Sequence, residues 1–182
     1  MRDIKRFTNR LILIAATVDH LRAELVSPGQ LGILLETEVP EGWPPGEYDE
    51  GAQKFFLDQL NLGGAEMVGW SVWYAVLRRG SQKAGPLIAS GGFLGPPDEA
   101  GEVEIGYSVL PDWRGNGYVT EMVDELVRYA FEDARVRRII AHTTSQNPGS
   151  FKVLEHLGFH DSGVRHDPLT IEYELHREQA HA

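Results

Sequence analysis

One stretch constrains the fold of this chain more than any other: Val103 to Thr120, which reads VEIGYSVLPDWRGNGYVT. Val103 to Val109 is rich in β-branched and aromatic residues and predicts a strand. Pro111 ends it, because proline has no N–H to give a ladder. Arg114-Gly115-Asn116-Gly117 is a glycine-rich turn. Beyond it Val119, Met122, Val123, Leu126, Val127, Ala130 and Phe131 recur at helical spacing and predict a helix from about Gly117 to Ala134. The turn therefore sits at a helix N-terminus, where the first amides are unpaired and the dipole is positive, which makes an anion site. Glycines there let the backbone approach a phosphate, since no Cβ intervenes.

The remaining elements follow from pattern and punctuation. Arg10 to Ala16 predicts a first strand, and Thr17 caps a helix over Val18 to Val26 that Ser27-Pro28-Gly29 stops. Gln30 to Val39 takes no assignment, and Pro40 to Gly46 is a loop. Trp43 in that loop either caps a substrate pocket or folds the loop onto the body. A helix follows over Tyr48 to Leu62, then strands over Met67 to Leu77 and Pro86 to Leu94, joined by a polar turn from Arg78 to Gly85. With Val103 to Val109 these make a three-stranded antiparallel meander. Ile139 to His142 is a short strand, and Asn147-Pro148 opens a helix that Gly158 closes. Phe159 to Val164 and Leu169 to Leu175 predict a closing hairpin, with a frayed tail from Glu178.

Composition excludes several classes. A length of 182 residues fits one domain of α/β or α+β type, and 42% apolar residues suffice for its core. A net charge of −10 lacks the basic surface that nucleic acid requires; it suits a cationic or amine partner, or serves solubility alone. The apolar run Leu11 to Ala16 is too short to span a bilayer and lacks a cleavage signal, so no membrane role is expected. The absence of cysteine rules out thiolate chemistry and fits a reducing, cytoplasmic setting. No triphosphatase loop is present, because Gly117 is followed by Tyr118, and the turn lies too late for a dinucleotide fingerprint. His156 and His160 are interrupted by Gly158, so no metal site is expected. Arg135, Arg137 and Arg138 either reach a ligand phosphate or form a solvated helix end.

Two motifs carry a resemblance to a known family. Glu104-Ile105-Gly106-Tyr107, Pro111 and Arg114-Gly115-Asn116-Gly117-Tyr118-Val119-Thr120-Glu121 look like the acyl-CoA motif of the GNAT superfamily of N-acetyltransferases, Gln/Arg-x-x-Gly-x-Gly/Ala. Asn147-Pro148-Gly149-Ser150 through Glu155, Gly158 and Phe159 looks like its second motif, Asn-x-x-Ser…Glu-x-x-Gly-Phe, about 30 residues further on. Together they are specific, and they cover Gly101 to Phe159. Glu-Ile-Gly-Tyr is similar to the branch that includes the ribosomal-protein N-acetyltransferases. Val119 departs from the pattern, which prefers Gly or Ala there.

The resemblance implies a single α/β (α+β) domain over residues 1–182, with a mixed, mostly antiparallel sheet flanked by helices on both faces. It implies acetyl-CoA as cofactor. The amides of Gly115, Gly117, Val119 and Thr120 would hold the pyrophosphate, with Arg114 adding charge and Asn116 and Tyr118 completing the loop. The backbone of Tyr107, Val109 and Leu110 would pair with the pantetheine arm as an added strand, and one of those amides would polarise the thioester carbonyl. Asn147 and Ser150 would line its sulfur end, although Asn147 is equally well explained as a helix cap. The acceptor would be an amine, either a protein N-terminus or a small molecule, attacking the thioester directly. Glu104, then Glu102, are candidate bases; strand alternation sets both on the face of Gly106 and Ser108, opposite Val103, Ile105, Tyr107 and Val109. Ser150 is the candidate acid and Tyr107 the lesser one. A non-catalytic acyl-CoA sensing module is the alternative, and exposed strand edges would allow a homodimer.

Overall fold

The computed structural model describes residues 4–80 and 83–180. Their elements, in chain order, are β1 Lys5–Phe7, β2 Leu11–Ala15, α1 Val18–Val26, α2 Pro28–Leu35, α3 Glu50–Gly63, β3 Val72–Arg79, β4 Lys83–Phe93, β5 Glu102–Val109, α4 Tyr118–Glu132, β6 Arg138–Thr144, α5 Pro148–His156, β7 His160–Asp161, β8 Thr170–His176 and α6 Arg177–Ala180. The strands form one sheet in the order β1-β2-β3-β4-β5-β6-β8-β7. Every neighbouring pair is antiparallel except β5 and β6.

Alternation along the central strands divides the core in two. Trp73 and Ala75 of β3 and Val103 and Ile105 of β5 face α4, whose Met122, Val123, Leu126 and Ala130 are buried. Val72, Tyr74 and Val76 face the other way, onto Leu21 of α1, Leu31 of α2 and Leu60 of α3. Helices thus cover both faces, as expected.

Several boundaries differ from the sequence reading, each for a local reason. Ser27 stops α1 and also starts α2: its extended backbone lets Oγ accept from the Gln30 amide at 3.2 Å, with Pro28 in the first turn. The unassigned segment after it is therefore helical as far as Leu35. The segment before Arg10 adds an edge strand, β1. Met67 lies in a 3₁₀ turn, and β3 begins only at Val72. β3 runs on to Arg79 and β4 begins at Lys83, so both strands are longer than read; 81 and 82, part of the expected turn, lie outside the described residues. The last hairpin is short on one side, because β7 spans only two residues. Part of the tail is ordered: the Arg177 guanidinium donates to the Phe131 and Val136 carbonyls at 2.8 Å each, closing the C-terminus of α4. The final two residues are not described. Both sheet edges, β1 and β7, are short strands.

Candidate active site

The site arises where β5 and β6 part. They pair only from Glu102↔Arg138 to Glu104↔Ile140, although β5 runs on to Val109 and β6 to Thr144. On its other side β5 stays paired with β4 as far as Val109. The Leu94 amide bonds the Glu104 carbonyl and the Leu110 amide bonds Ile88, both at 3.0 Å, so even-numbered residues of β5 aim their main chain at β4. The main chain of Tyr107 and Val109 therefore aims into the gap. Leu110 differs from the sequence reading: Ile88 takes its amide and its side chain is buried, so that amide is not open to a ligand.

The gap opens into a cleft of about 1010 Å³ that runs from Tyr107 and Val109 past Asn147 and Ser150 to the glycine turn. Gly115 and Gly117 have φ of +73° and +76°, a left-handed backbone that glycine tolerates. Among the described residues no acceptor takes the amides of residues 115–120; the first helical bond is from the Glu121 amide to the Gly117 carbonyl at 3.1 Å. Six donors at a helix start can thus bind an anion. The Arg114 side chain is exposed and has no partner among the described residues, and the same holds for Lys152 of α5, which also lines the cleft. Sequence reasoning missed Lys152; its one signal was a lone cation inside the second motif. Val119 packs against the core below, which accounts for its tolerance in place of a smaller residue. Arg135, Arg137 and Arg138 lie toward the N-terminal ends of β5 and β6, away from the turn, and Arg138 pairs with Glu102 and Glu174.

The turn is braced from behind. Asn116 Nδ2 donates to the Arg114 carbonyl at 3.0 Å. Arg10, from the β1–β2 turn, donates to the Asn116 carbonyl at 2.9 Å and lies 4.4 Å over the Tyr118 ring. Glu121 in turn holds Arg10, accepting from its amide at 2.7 Å and its Nε at 2.6 Å, and accepts from Thr8 Oγ1 at 2.6 Å. Burial alone would push the Glu121 carboxyl up; the Thr8 and Arg10 contacts outweigh it and hold it below its ordinary 4.5. Such a group adds stability that is complete above pH 4.5 and is lost as pH falls through its lowered value. Glu121→Gln should therefore melt below the wild type at pH 7, with the gap closing under acid; a gap constant down to pH ~3 would refute this.

At the inner end, the Tyr107 hydroxyl lies 2.9 Å from Ser150 Oγ and 3.0 Å from the Ser150 carbonyl. Burial, opposed by the Ser150 contact, pushes the phenol up to about 12, so it keeps its proton at neutral pH. Asn147 caps α5, its Oδ1 accepting from the Ser150 amide at 3.2 Å. Across β5, a smaller cavity of about 160 Å³ lies between α3 and the backbone of Gly91, Gly92 and Gly106. Gly106 lines both cavities, and a Cβ there would meet nothing within 4 Å.

The carboxylates divide differently from the sequence reading. Glu102 is tied to Arg138, and Glu104 Oε1 lies 2.8 Å from His142 Nδ1. Neither lines either of these two cavities, whereas His142 lines the larger one and Glu47, missed in the sequence, rims both. Glu47 is positioned by the loop before α3. There Trp43 Nε1 donates to buried Glu24 at 2.6 Å, and Tyr48 and Tyr74 donate to its other oxygen at 2.8 and 2.6 Å. Trp43 thus fastens its loop to the body and does not cap a pocket. His142 also meets His166 and Glu172, with ligating atoms within 4.8 Å of one another, a cluster invisible in a sequence that expected no metal site.

A mixed sheet that splays between two parallel strands, with a glycine turn at the next helix start, defines an acyl-CoA-dependent acetyltransferase fold. Residues 10–160 match the family model for the acetyltransferase (GNAT) domain, and the chain belongs to this family of N-acetyltransferases. It is 32% identical over 152 residues to the uncharacterized N-acetyltransferase YjdG of Bacillus subtilis, covering 84% of this chain and 87% of that one. It is 32% identical to the ribosomal protein uS5 alanine N-acetyltransferase of Escherichia coli over 68 residues, 37% of this chain and 35% of that enzyme. Mycobacterium smegmatis RimJ in complex with CoA-disulfide shares the fold, with a TM-score of 0.60 at 16% identity, over 92% of this chain and 82% of that one. Among the described residues no helix is long and apolar enough to cross a membrane.

Proposed function

We propose that this chain, read as one domain over its 182 residues, transfers an acetyl group from acetyl-CoA to a primary amine, with a protein N-terminus the favoured acceptor. The observation that carries the reading is the pairing of the β5–β6 gap with six unbonded amides at residues 115–120. Acetyl-CoA supplies a thioester that an amine can attack, releasing a thiolate. The amides of Gly115, Gly117, Val119 and Thr120 bind the pyrophosphate, with Arg114 and Lys152 adding charge. The Tyr107 and Val109 main chain extends the sheet to the pantetheine and supplies a donor for the carbonyl. The Tyr107 hydroxyl, paired with Ser150, gives the proton that the leaving sulfur takes. A carboxylate on the Gly106 side receives the amine's proton: Glu104, acting beside His142, or Glu47, which rims both cavities. The acceptor reading is supported by the uS5 alanine N-acetyltransferase named above, and by the chain's acidity.

Thiol release from acetyl-CoA, followed with a panel of N-terminal peptides and small amines, tests this. Acceptor-dependent release is expected; CoA binding without turnover on any amine would leave a sensing module instead. Tyr107→Phe should lower kcat about 100-fold with little change in CoA affinity. An unchanged kcat would remove Tyr107 from the chemistry. Comparing the pH–rate profiles of Glu47→Gln and Glu104→Gln identifies the base, as the variant that loses the acidic limb.

A further inference from the structure

We propose that His142, His166 and Glu172 form a site for a zinc-class divalent cation on the sheet face opposite α4. The proposal does not rest on acetyl transfer, although His142 also lines the cleft. His142 of β6 and Glu172 of β8 are direct partners across an antiparallel pair, so their side chains share a face. His166 reaches them from the loop between β7 and β8. Glu172 Oε2 lies 3.4 Å from His142 Nε2 and 3.1 Å from His166 Nε2. Two ligands in a tetrahedral zinc shell with bonds near 2.0–2.1 Å stand roughly 3.3 Å apart, so both separations already suit a shared ion.

The polar bookkeeping points the same way. Glu104 Oε1 lies 2.8 Å from His142 Nδ1, and a carboxylate there fixes the ring hydrogen on Nδ1. His142 Nε2 is then a bare acceptor directed at a carboxylate oxygen. It is buried and has no hydrogen-bond partner among the described residues, and the same holds for Glu172 Oε1. Glu172 is only 4% exposed. The oxygen opposite His142 Nε2 is Glu172 Oε2, at 3.4 Å, which also contacts His166 Nε2 at 3.1 Å; two acceptors thus meet in a buried place, where a cation would satisfy both. Two imidazoles and a carboxylate form a donor set that suits zinc, whose fourth ligand would be water. Glu104 behind His142 is the outer carboxylate that such histidines usually carry. The surroundings are electronegative: Glu102 and Glu174 add two carboxylates to those of Glu104 and Glu172, against the one guanidinium of Arg138. The ion would staple β6, β8 and the β7–β8 loop, and hold Glu104 in its accepting orientation at the edge of the β5–β6 gap.

The test is zinc titration of chelator-stripped protein, free of any histidine tag, against a chromophoric chelator. One tight equivalent is expected at pH 8. His166→Ala changes an exposed loop residue and leaves the sheet intact. It should weaken zinc by more than about 100-fold, since even outer-shell partners are worth ~10–100-fold. Glu104→Gln should weaken it within that outer-shell range, and His160→Ala, on the same face but outside the cluster, should leave it unchanged. Anomalous scattering from a zinc-soaked crystal should place the ion between the three side chains. Wild-type protein that holds no zinc, or His166→Ala that holds it equally well, overturns the proposal and leaves the cluster held by a proton.

Discussion

Gly117→Glu should raise the Kd for CoA by at least about 100-fold, a loss of roughly 2.7 kcal/mol or more. Gly117 has φ of +76°, and a Cβ there would meet only Arg10 Nη2, at 3.4 Å. The cost therefore has two sources: a Cβ that drives the free turn out of its left-handed backbone, so that binding must restore it at about 1–2 kcal/mol, and a negative charge set among the amides proposed to hold phosphate. Gly117→Ala carries the first without the second and should lose about tenfold, so the difference between the variants isolates the charge. Titration of each variant with CoA, after circular dichroism has shown that the fold is retained, gives the answer. Undiminished affinity in Gly117→Glu would mean that the pyrophosphate does not lie at this helix start.

Glu24→Ala should destabilise the protein by about 3–5 kcal/mol, since it strands three buried donors at about 1–3 kcal/mol each. Glu24 is 5% exposed and accepts from Trp43, Tyr48 and Tyr74. Burial raises its carboxyl above the ordinary value even though those three donors pull it down. Alanine would leave an indole N–H and two phenol O–H groups without an acceptor, each an unsatisfied donor in the core. For a chain of this size the thermal midpoint should fall on the order of 10 °C. The effect should extend to function, because the same three contacts fasten the loop that carries Glu47. At temperatures where the variant stays folded, the KM for the acceptor should rise more than the Kd for CoA. A melting point within a degree of the wild type would show that the network adds nothing net.

The glycine turn and the helix starts of the proposed cofactor site were legible in the sequence because they are local. Strand, glycine turn, Asn-capped helix and their spacing are all written within Gly101 to Phe159, and each follows from short-range rules: proline's missing N–H, glycine's left-handed backbone, a cap's side-chain acceptor. The same rules explain the boundary errors. Ser27 satisfies the rules for ending α1 and for starting α2, and only the packing of Leu31 and Leu35 selects the second helix.

What the sequence by itself determined was the family's fold and the place of the glycine turn at a helix start, because hydrophobic period and turn chemistry act between near neighbours. Only the tertiary structure decided where β5 parts from β6, that Ile88 takes the Leu110 amide, that Arg10 braces the turn across 106 positions of chain, and that Glu47 rims both cavities while Glu104 bonds His142. Side-chain partnership across a sheet depends on strand order and register, and in this chain those are fixed by the burial of two faces at once.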